Sequence, residues 1–474
     1  MDGKGIIDKQ VFLIGSCAYF ILAVLSQVYF LERTAFTDMA FHIFELIRTE
    51  ELAIQNFRFG AAFTQAVVLL GVKMDLSLET ILRMYSLCFV AFQYVVFLVC
   101  IRWLKNPWFG MVLILLNTLM VAHSFYWPIS EFPQGLAYLM LYFGLIHSWV
   151  NGYIKDRKLL YPLAGILIIT GSWCHPLTMF PFLFTSLFLC LHDKKMVKIN
   201  LLGVLVFAAG IYIKASYFKN STDSDNVSRA LEYFVNQFPD YFSQTSHKIF
   251  WQYLLKDYYL LGIFLLLSLG AYIWHKRFWK AALLFSFFFG YLMMVNLSYP
   301  EGADQFYAEN QYLSLGIFVS VCMALDLSAW SGLKKLPWLL GGIVFIRLLH
   351  IGFSNGPYSG RIDYLRQVMN ETSTSEQKKI IAPEQLFSME ILKMTWATAY
   401  ENWIISTVES DETRSVFLTD NIAGQYWTGD DYNHRFITVF GAFDYSDLPN
   451  RYFIFSDSTM YQRLDSWPLE DSDN

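Results

Sequence analysis

From Val11 to Leu31 the chain runs through 21 residues without a charged side chain. At 1.5 Å of rise per residue, a helix of that length covers the roughly 30 Å apolar thickness of a bilayer, and a bilayer forces each backbone polar group to find its partner within the same segment. No small-residue cleavage site follows, so the run reads as a retained first span. Further apolar runs occupy about 84–101, 108–126, 132–150, 159–173, 175–191, 199–216, 258–274, 278–297, 311–328 and 337–353, eleven in all. The predicted fold is an all-α polytopic membrane bundle of about 11 transmembrane helices over residues 1–353. Composition agrees, because 55% hydrophobic and 16% charged residues is too apolar for an ordinary soluble enzyme of 474 residues.

Charge sets the expected orientation. Alternate connections carry Arg102 and Lys105, then Lys155, Arg157 and Lys158, then Lys194, Lys195 and Lys198, then Lys276, Arg277 and Lys280, and finally Lys334 and Lys335. The intervening short connections, Trp127 to Glu131, the Cys174-His175-Pro176 corner and Tyr299 to Asn310, hold no Lys or Arg. Basic residues mark the cytoplasmic side, so a multi-pass protein with its N-terminus in the cytoplasm and its C-terminal tail outside is expected. Three larger segments then face outward: a first loop over 32–83, a second over 217–257, and the tail 354–474. The tail opens on "SNGPYSG", reads as a helix through "PEQLFSMEILKMTWATAYENWIIS" and as strands in "SVFLTD", "RFITVFGAF" and "RYFIFS", which predicts a small extracytoplasmic α/β domain. Its histidine, His434, reads as a surface residue.

All six cysteines lie in or beside apolar runs, so neither a disulfide framework nor a cysteine zinc site is indicated. A net charge of −5 is small for this length and gives no reason to expect nucleic acid as a partner. Walker A, G-x-G-x-x-G, H-E-x-x-H and G-x-S-x-G patterns are absent.

The first outer loop begins "RTAFTDMAFHIFEL", which places Asp38 and His42 one helical turn apart among bulky apolar residues. Phe41, Phe44, Leu46, Ile47, Ala53, Ile54 and Phe57 recur near helical spacing with charges between them, as in short amphipathic helices lying in the membrane interface; Phe59 to Val72 is another. Thr37 is a candidate N-cap, and an acid in the first turn suits the helix dipole, which is the structural reading of Asp38. The functional reading is that a partly desolvated carboxylate beside a histidine serves as general base toward a hydroxyl or amine.

This layout resembles the GT-C superfamily of polytopic glycosyltransferases, which includes the protein O-mannosyltransferases and the aminoarabinose transferases of lipid A. One span followed by a long outer loop with an acid near its start is that family's organisation, and the passage "FGAAFTQAVVLLGVKMDLSLETILRMYSLCFVAFQYVVFLVCIRWLKN" is similar to its route from an interfacial helix into the second span, with Arg83 as the matching arginine. "WPISEFPQG" puts Glu131 where a second acid is common in the family, and "YPEGADQFYAENQYLSLG" resembles its last outer loop, which places Tyr307 and Glu309 near a donor phosphate. The resemblance spans about residues 8 to 353. It implies an inverting transferase that moves a sugar from a polyprenyl-phosphate carrier to a lipid, glycan or protein acceptor on the outer face. Asp38 would take the acceptor proton, His42 would assist it, and Arg58 or Arg83 would hold the leaving phosphate. The sequence departs from the family where Asp38 is followed by Met39 rather than by a second acid, so an acidic metal-binding pair is missing; a divalent cation would need Asp38, His42, Glu131 and His175 to converge in space.

Arg58 in "IQNFRFG" and Arg83 in "ETILRMY" suit a phosphate because a guanidinium donates two parallel hydrogen bonds; the alternative for each is interfacial snorkelling. His175 in "GSWCHPLTMF" either lines a cavity or caps the next helix. Two other classes remain open: a multi-span transporter or flippase, which predicts broken helices and polar groups deep in the spans, and a glycan ligase or polymerase of envelope polysaccharide. Gln93, Asn117 and Asp326 are the polar residues noted within spans.

Overall fold

The computed structural model describes residues 3–128, 131–154, 160–218, 228, 232–327, 336–372, 378–420, 434–455 and 461–464. The basic clusters at 155–158 and 334–335, and the asparagines of two N-x-S/T sequences, Asn220 and Asn226, lie outside them. In chain order the helices are α1 (Gly3–Val28), α2 (Phe30–Thr34), α3 (Asp38–Thr49), α4 (Ala62–Lys73), α5 (Leu78–Leu98), α6 (Pro107–Leu116), α7 (Glu131–Val150), α8 (Leu160–Cys174), α9 (Met179–His192), α10 (Val197–Tyr217), α11 (Thr245–Lys256), α12 (Tyr259–Trp274), α13 (Phe278–Ser298), α14 (Gln305–Cys322), α15 (Leu336–Phe353), α16 (Gly356–Thr372), α17 (Met389–Leu392) and α18 (Thr398–Ser410).

Local chemistry starts several of these helices. The Ser77 hydroxyl accepts from Thr80 N–H at the head of α5, and Asn106 accepts from Phe109 N–H at the head of α6, where Pro107 occupies the first turn. Six helical stretches are long and apolar enough to cross a bilayer: Ile7–Val28, Leu78–Trp103, Lys194–Tyr217, Phe278–Ser298, Gln305–Leu327 and Trp338–Thr372. A seventh forms if α11 and α12, which meet at 92°, make one bent span. The chain is therefore a helical membrane bundle. Of the remaining runs, 132–150 lies on α7 and the next two on α8 and α9, but 108–126 is α-helical only as far as Leu116 and then turns; α6 has 10 residues, α8 has 15 and α9 has 14, short of the usual crossing length.

The centre of the bundle is α7 and α14, whose side chains are buried almost throughout. Small residues let neighbours approach: a Cβ on Gly135 of α7 would stand 2.7 Å from Cys174 Cβ and 3.1 Å from the Gly171 carbonyl of α8. Charge is also buried. Lys280, expected in a basic connection, is 3% exposed and pairs with Asp326 at 2.6 Å, while His192 and Tyr272 bind the same carboxylate at 2.9 and 3.0 Å.

The segment after α15 departs from expectation in several places. "SNGPYSG" leads directly into α16 rather than a loop. The long helix expected over 383–406 is interrupted, because Lys393 adopts a positive φ of 57° between α17 and α18. Strands β1 (Lys379–Ala382), β2 (Ser415–Leu418) and β5 (Gln462–Arg463) form a parallel sheet in the order β2-β1-β5, and β3 (Arg435–Thr438) pairs antiparallel with β4 (Gly441–Asp444). "RYFIFS" is not a strand over its described part; Phe453 instead stacks on Trp403 at 4.4 Å.

These elements share one core with the first loop. Phe44 of α3 meets Tyr400, Phe443, Phe453 and Trp403 at ring distances of 4.9 to 5.9 Å. The apolar face of α3 that the sequence assigns to the membrane interface is therefore covered by protein.

Candidate functional site

Asp38 is the first residue of α3, and two side chains hold it. Its Oδ2 accepts from the Trp127 indole N–H at 3.2 Å and from the Thr37 hydroxyl at 3.5 Å. Thr37 does not act as the expected N-cap: its backbone sits at φ 41°, its hydroxyl accepts from the same indole at 3.1 Å, and its N–H donates to Glu401 at 2.7 Å. Glu401 is fully buried and paired with Arg361 at 2.6 Å, so the C-terminal elements fix the backbone next to the acid. Burial raises the Asp38 pKa, opposed by its hydrogen bonds to its own backbone N–H, Trp127 and Thr37.

Trp127 is positioned by an equally tied turn. Glu309 of α14 is 1% exposed and accepts from the backbone N–H groups of Ala122, His123 and Ser124 at 3.0, 2.7 and 2.6 Å, and from the Tyr258 hydroxyl. A carboxylate gathering three N–H groups immobilises that turn. Arg347 adds bonds to the Thr118 and Val121 carbonyls, both 2.9 Å. Glu309, expected near a donor phosphate, is thus committed to the backbone and has no capacity left for a ligand.

Beside Asp38 stands a second group of charges. Arg58 donates to Glu131 at 3.2 Å. Asp38 is an electrostatic neighbour of Glu131 and Tyr307, and Arg58 of Tyr307 as well. Arg58 and Lys214 both act on His175 and on Cys174. The chain at 58–61 reaches this place because residue 60 is glycine: a Cβ there would stand 2.2 Å from Cys174 Sγ. The Tyr307 ring lies 5.6 Å from that of Trp127, and its hydroxyl pairs with Tyr299 at 2.8 Å. His175 Nδ1 accepts from Leu177 N–H at 3.2 Å, so it caps the following turn while its ring rests 5.0 Å from Phe132.

Asp38, Arg58, Glu131, His175 and Tyr307 therefore converge. His42 does not join them: it is 4% exposed, its Nδ1 meets Gln65 Nε2 at 3.3 Å, and burial lowers its pKa to about 4, so it is neutral at physiological pH. Arg83 is also elsewhere, bonded to Glu79 at 2.8 Å and to the Gln27 carbonyl at 3.1 Å, with its guanidinium over the Phe30 ring. Among the described residues, no group of three or more His, Cys, Asp or Glu is placed to hold a metal ion. Two contributors escape the sequence reading. Lys214 is a lone lysine inside the run 199–216, which was a signal; Trp127 sits in a short connection read for its charge alone. No protein-family model, curated protein or solved structure matches this chain.

Proposed function

We propose that this chain is a GT-C-like membrane glycosyltransferase that transfers a sugar from a polyprenyl-phosphate carrier to a lipid, glycan or protein acceptor at the outer face. In this reading about eleven helices cross the membrane, the shorter ones tilted or in a thinned region, with the N-terminus cytoplasmic. The helices after Leu31 lie near the outer interface, and 354–474 is an extracytoplasmic α/β unit that braces Asp38 and helps choose the acceptor.

The observation that carries the reading is the partly desolvated Asp38 carboxylate, which shares Glu131 and Tyr307 as neighbours with Arg58, while Lys214 acts on the adjoining His175 and donates to the Trp173 carbonyl at 3.0 Å. A raised carboxylate pKa brings a general base closer to its operating pH. Asp38 takes the acceptor O–H proton as that oxygen attacks the anomeric carbon. The bond from that carbon to the phosphate oxygen breaks on the opposite face, the configuration inverts, and the electron pair leaves with the polyprenyl phosphate. Arg58, steadied by Glu131, and Lys214 balance the charge released there. Tyr307 and His175 contribute hydrogen bonds to the sugar and phosphate. Such a site facing away from the cytoplasm suits a lipid-linked donor, since nucleotide sugars are made inside.

The test is the profile of surface glycolipids, glycans and glycoproteins in a deletion strain complemented with wild type or Asp38→Asn at matched abundance. Wild type is expected to restore a missing glycoform and Asp38→Asn to leave it missing; restoration by both would remove Asp38 from catalysis. A transporter or flippase is the second reading, supported by the 92° break between α11 and α12 and by the buried Asp326–Lys280 pair. It gains if no glycoform is lost and Asp326→Asn or Lys280→Met alters uptake or flipping of a labelled solute.

A further inference from the structure

Between α1, α5, the 117–128 connection, the start of α7 and α14 lies a cavity of about 660 Å³, counting the open space at its mouth. Trp127 forms part of its wall, with Phe89 and Phe125 as further apolar surface. Its polar lining has an unusual imbalance. Arg33 is 1% exposed, and its hydrogen bonds run from Nε to the Ser86 hydroxyl at 2.8 Å, from Nη2 to the Ser86 carbonyl at 3.1 Å, and from Nη1 to the Phe125 carbonyl. All three acceptors are neutral. A guanidinium has five N–H donors, so one N–H on each terminal nitrogen has no partner among the described residues. No acidic side chain appears among the described lining residues. Burial pulls the Arg33 pKa down to about 9, which still leaves the group charged at neutral pH. The guanidinium also lies over the Phe125 ring at 4.1 Å, yet no described acid balances its charge; a buried cation in that state is costly, and an anion that entered the cavity would relieve that cost.

Two acceptors in the same lining also lack partners. Gln134 is 3% exposed; its Nε2 donates to the Thr64 hydroxyl at 3.1 Å, and that hydroxyl donates its own hydrogen to the Ala61 carbonyl at 3.1 Å. The amide orientation is thereby set, and Gln134 Oε1 has no donor among the described residues. Asn310, 2% exposed, likewise has an Oδ1 with no donor among the described residues. Buried acceptors of this kind are normally satisfied, so the cavity has places for an anion and for hydroxyl groups at once.

We propose that this cavity binds a small hydroxylated monocarboxylate, of the sugar-acid class, with its carboxylate on Arg33 and hydroxyls donating to Gln134 and Asn310. A carboxylate matches the two remaining N–H groups in a bidentate bond and carries the single charge that one guanidinium balances. A phosphate monoester carries ≈ −1.5 to −2 and would leave charge uncompensated against the aromatic walls. The inference stands on the cavity and holds for a transferase or a transporter alike.

The test is titration calorimetry of the full chain in detergent with D-glucuronate, D-glucose and acetate. Glucuronate is expected to bind saturably and at least about tenfold more tightly than either control, since glucose lacks the charge and acetate lacks the hydroxyls. Gln134→Met and Asn310→Leu should each weaken it about fivefold to tenfold while leaving the unfolding temperature near that of wild type. Arg33→Gln should abolish it. Equal binding of glucose, equal binding of acetate, no binding of glucuronate, or unchanged affinity in both Gln134→Met and Asn310→Leu would each overturn the assignment.

Discussion

Replacing Glu401 with glutamine tests whether the C-terminal elements hold the candidate acid in place. Glu401 is 0% exposed, with Oε2 accepting from Arg361 at 2.6 Å and Oε1 from the Thr37 N–H at 2.7 Å. An amide keeps one acceptor and turns an NH2 group toward either the guanidinium or the Thr37 N–H, both of which are donors. Removing one partner of a buried pair costs about 3–5 kcal/mol, mostly because the surviving charge has nothing to balance it. Arg361 also donates to the Leu392 carbonyl and, at 2.8 Å, to the Met394 carbonyl, so part of its bonding survives and the loss should fall near 3 kcal/mol. The assay is denaturant unfolding of the full chain in one detergent, with Glu409→Gln as the control. Glu409 pairs with Arg366 at 2.6 Å with both side chains more than a third exposed, and its loss should cost under about 1 kcal/mol. Glu401→Leu combined with Arg361→Met should recover most of the stability, since it removes both charges. A cost for Glu401→Gln no greater than that for Glu409→Gln, or a double variant as damaged as the two singles added together, would refute this bracing role. A further consequence follows at Thr37, whose φ of 41° is uncommon for a β-branched residue and is held partly by Glu401. Glu401→Gln should therefore lower any Asp38-dependent activity without changing a group in the site.

Two further outcomes concern pH. The folded pKa of Asp38 is raised by burial, so the folded state binds its proton more tightly than the unfolded chain; that stabilising term is complete below the unfolded value near 3.9 and is lost as pH rises through the folded value. Asp38→Asn, which cannot ionise and still accepts from Trp127, should match wild type in unfolding temperature at pH 3.5 and exceed it at pH 7.5; equal stability at both would contradict the assigned burial. The folded pKa of His42 is lowered from 6.5 to about 4, so its neutral form supplies stability that is present above 6.5 and lost as pH falls toward 4. His42→Gln should flatten that part of the stability–pH curve, which spans ~3 kcal/mol in wild type, and an unchanged slope between pH 6.5 and 4 would refute it.

Long apolar runs are legible because a bilayer demands about 20 apolar residues in sequence, and the long spans fall where those runs predict. What covers an amphipathic face is not legible: Phe44 and Ile47 form the same stripe whether lipid or Tyr400 and Trp403 meet them, and the partner lies more than 350 residues away. The site divides along a similar line. Asp38 and Glu131 begin helices, Tyr307 is in the first turn of one, and Arg58 and His175 lie in connections. Groups at helix starts and in connections on one side of a bundle share the same end space, so placing their loops on one side is nearly enough to bring them together. His42, Arg83 and Glu309 sit a turn or more inside their helices. From there a side chain leaves sideways, and the neighbouring element decides its partner: Gln65 for His42, Glu79 and Gln27 for Arg83, the 122–124 backbone for Glu309. Helical spacing put His42 on the same face as Asp38, but sharing a face does not oblige two side chains to meet when a buried amide competes for one of them. Alternating loop charge thus reports which residues share an end of the bundle, while lateral partners require the packing of helices that the sequence does not number.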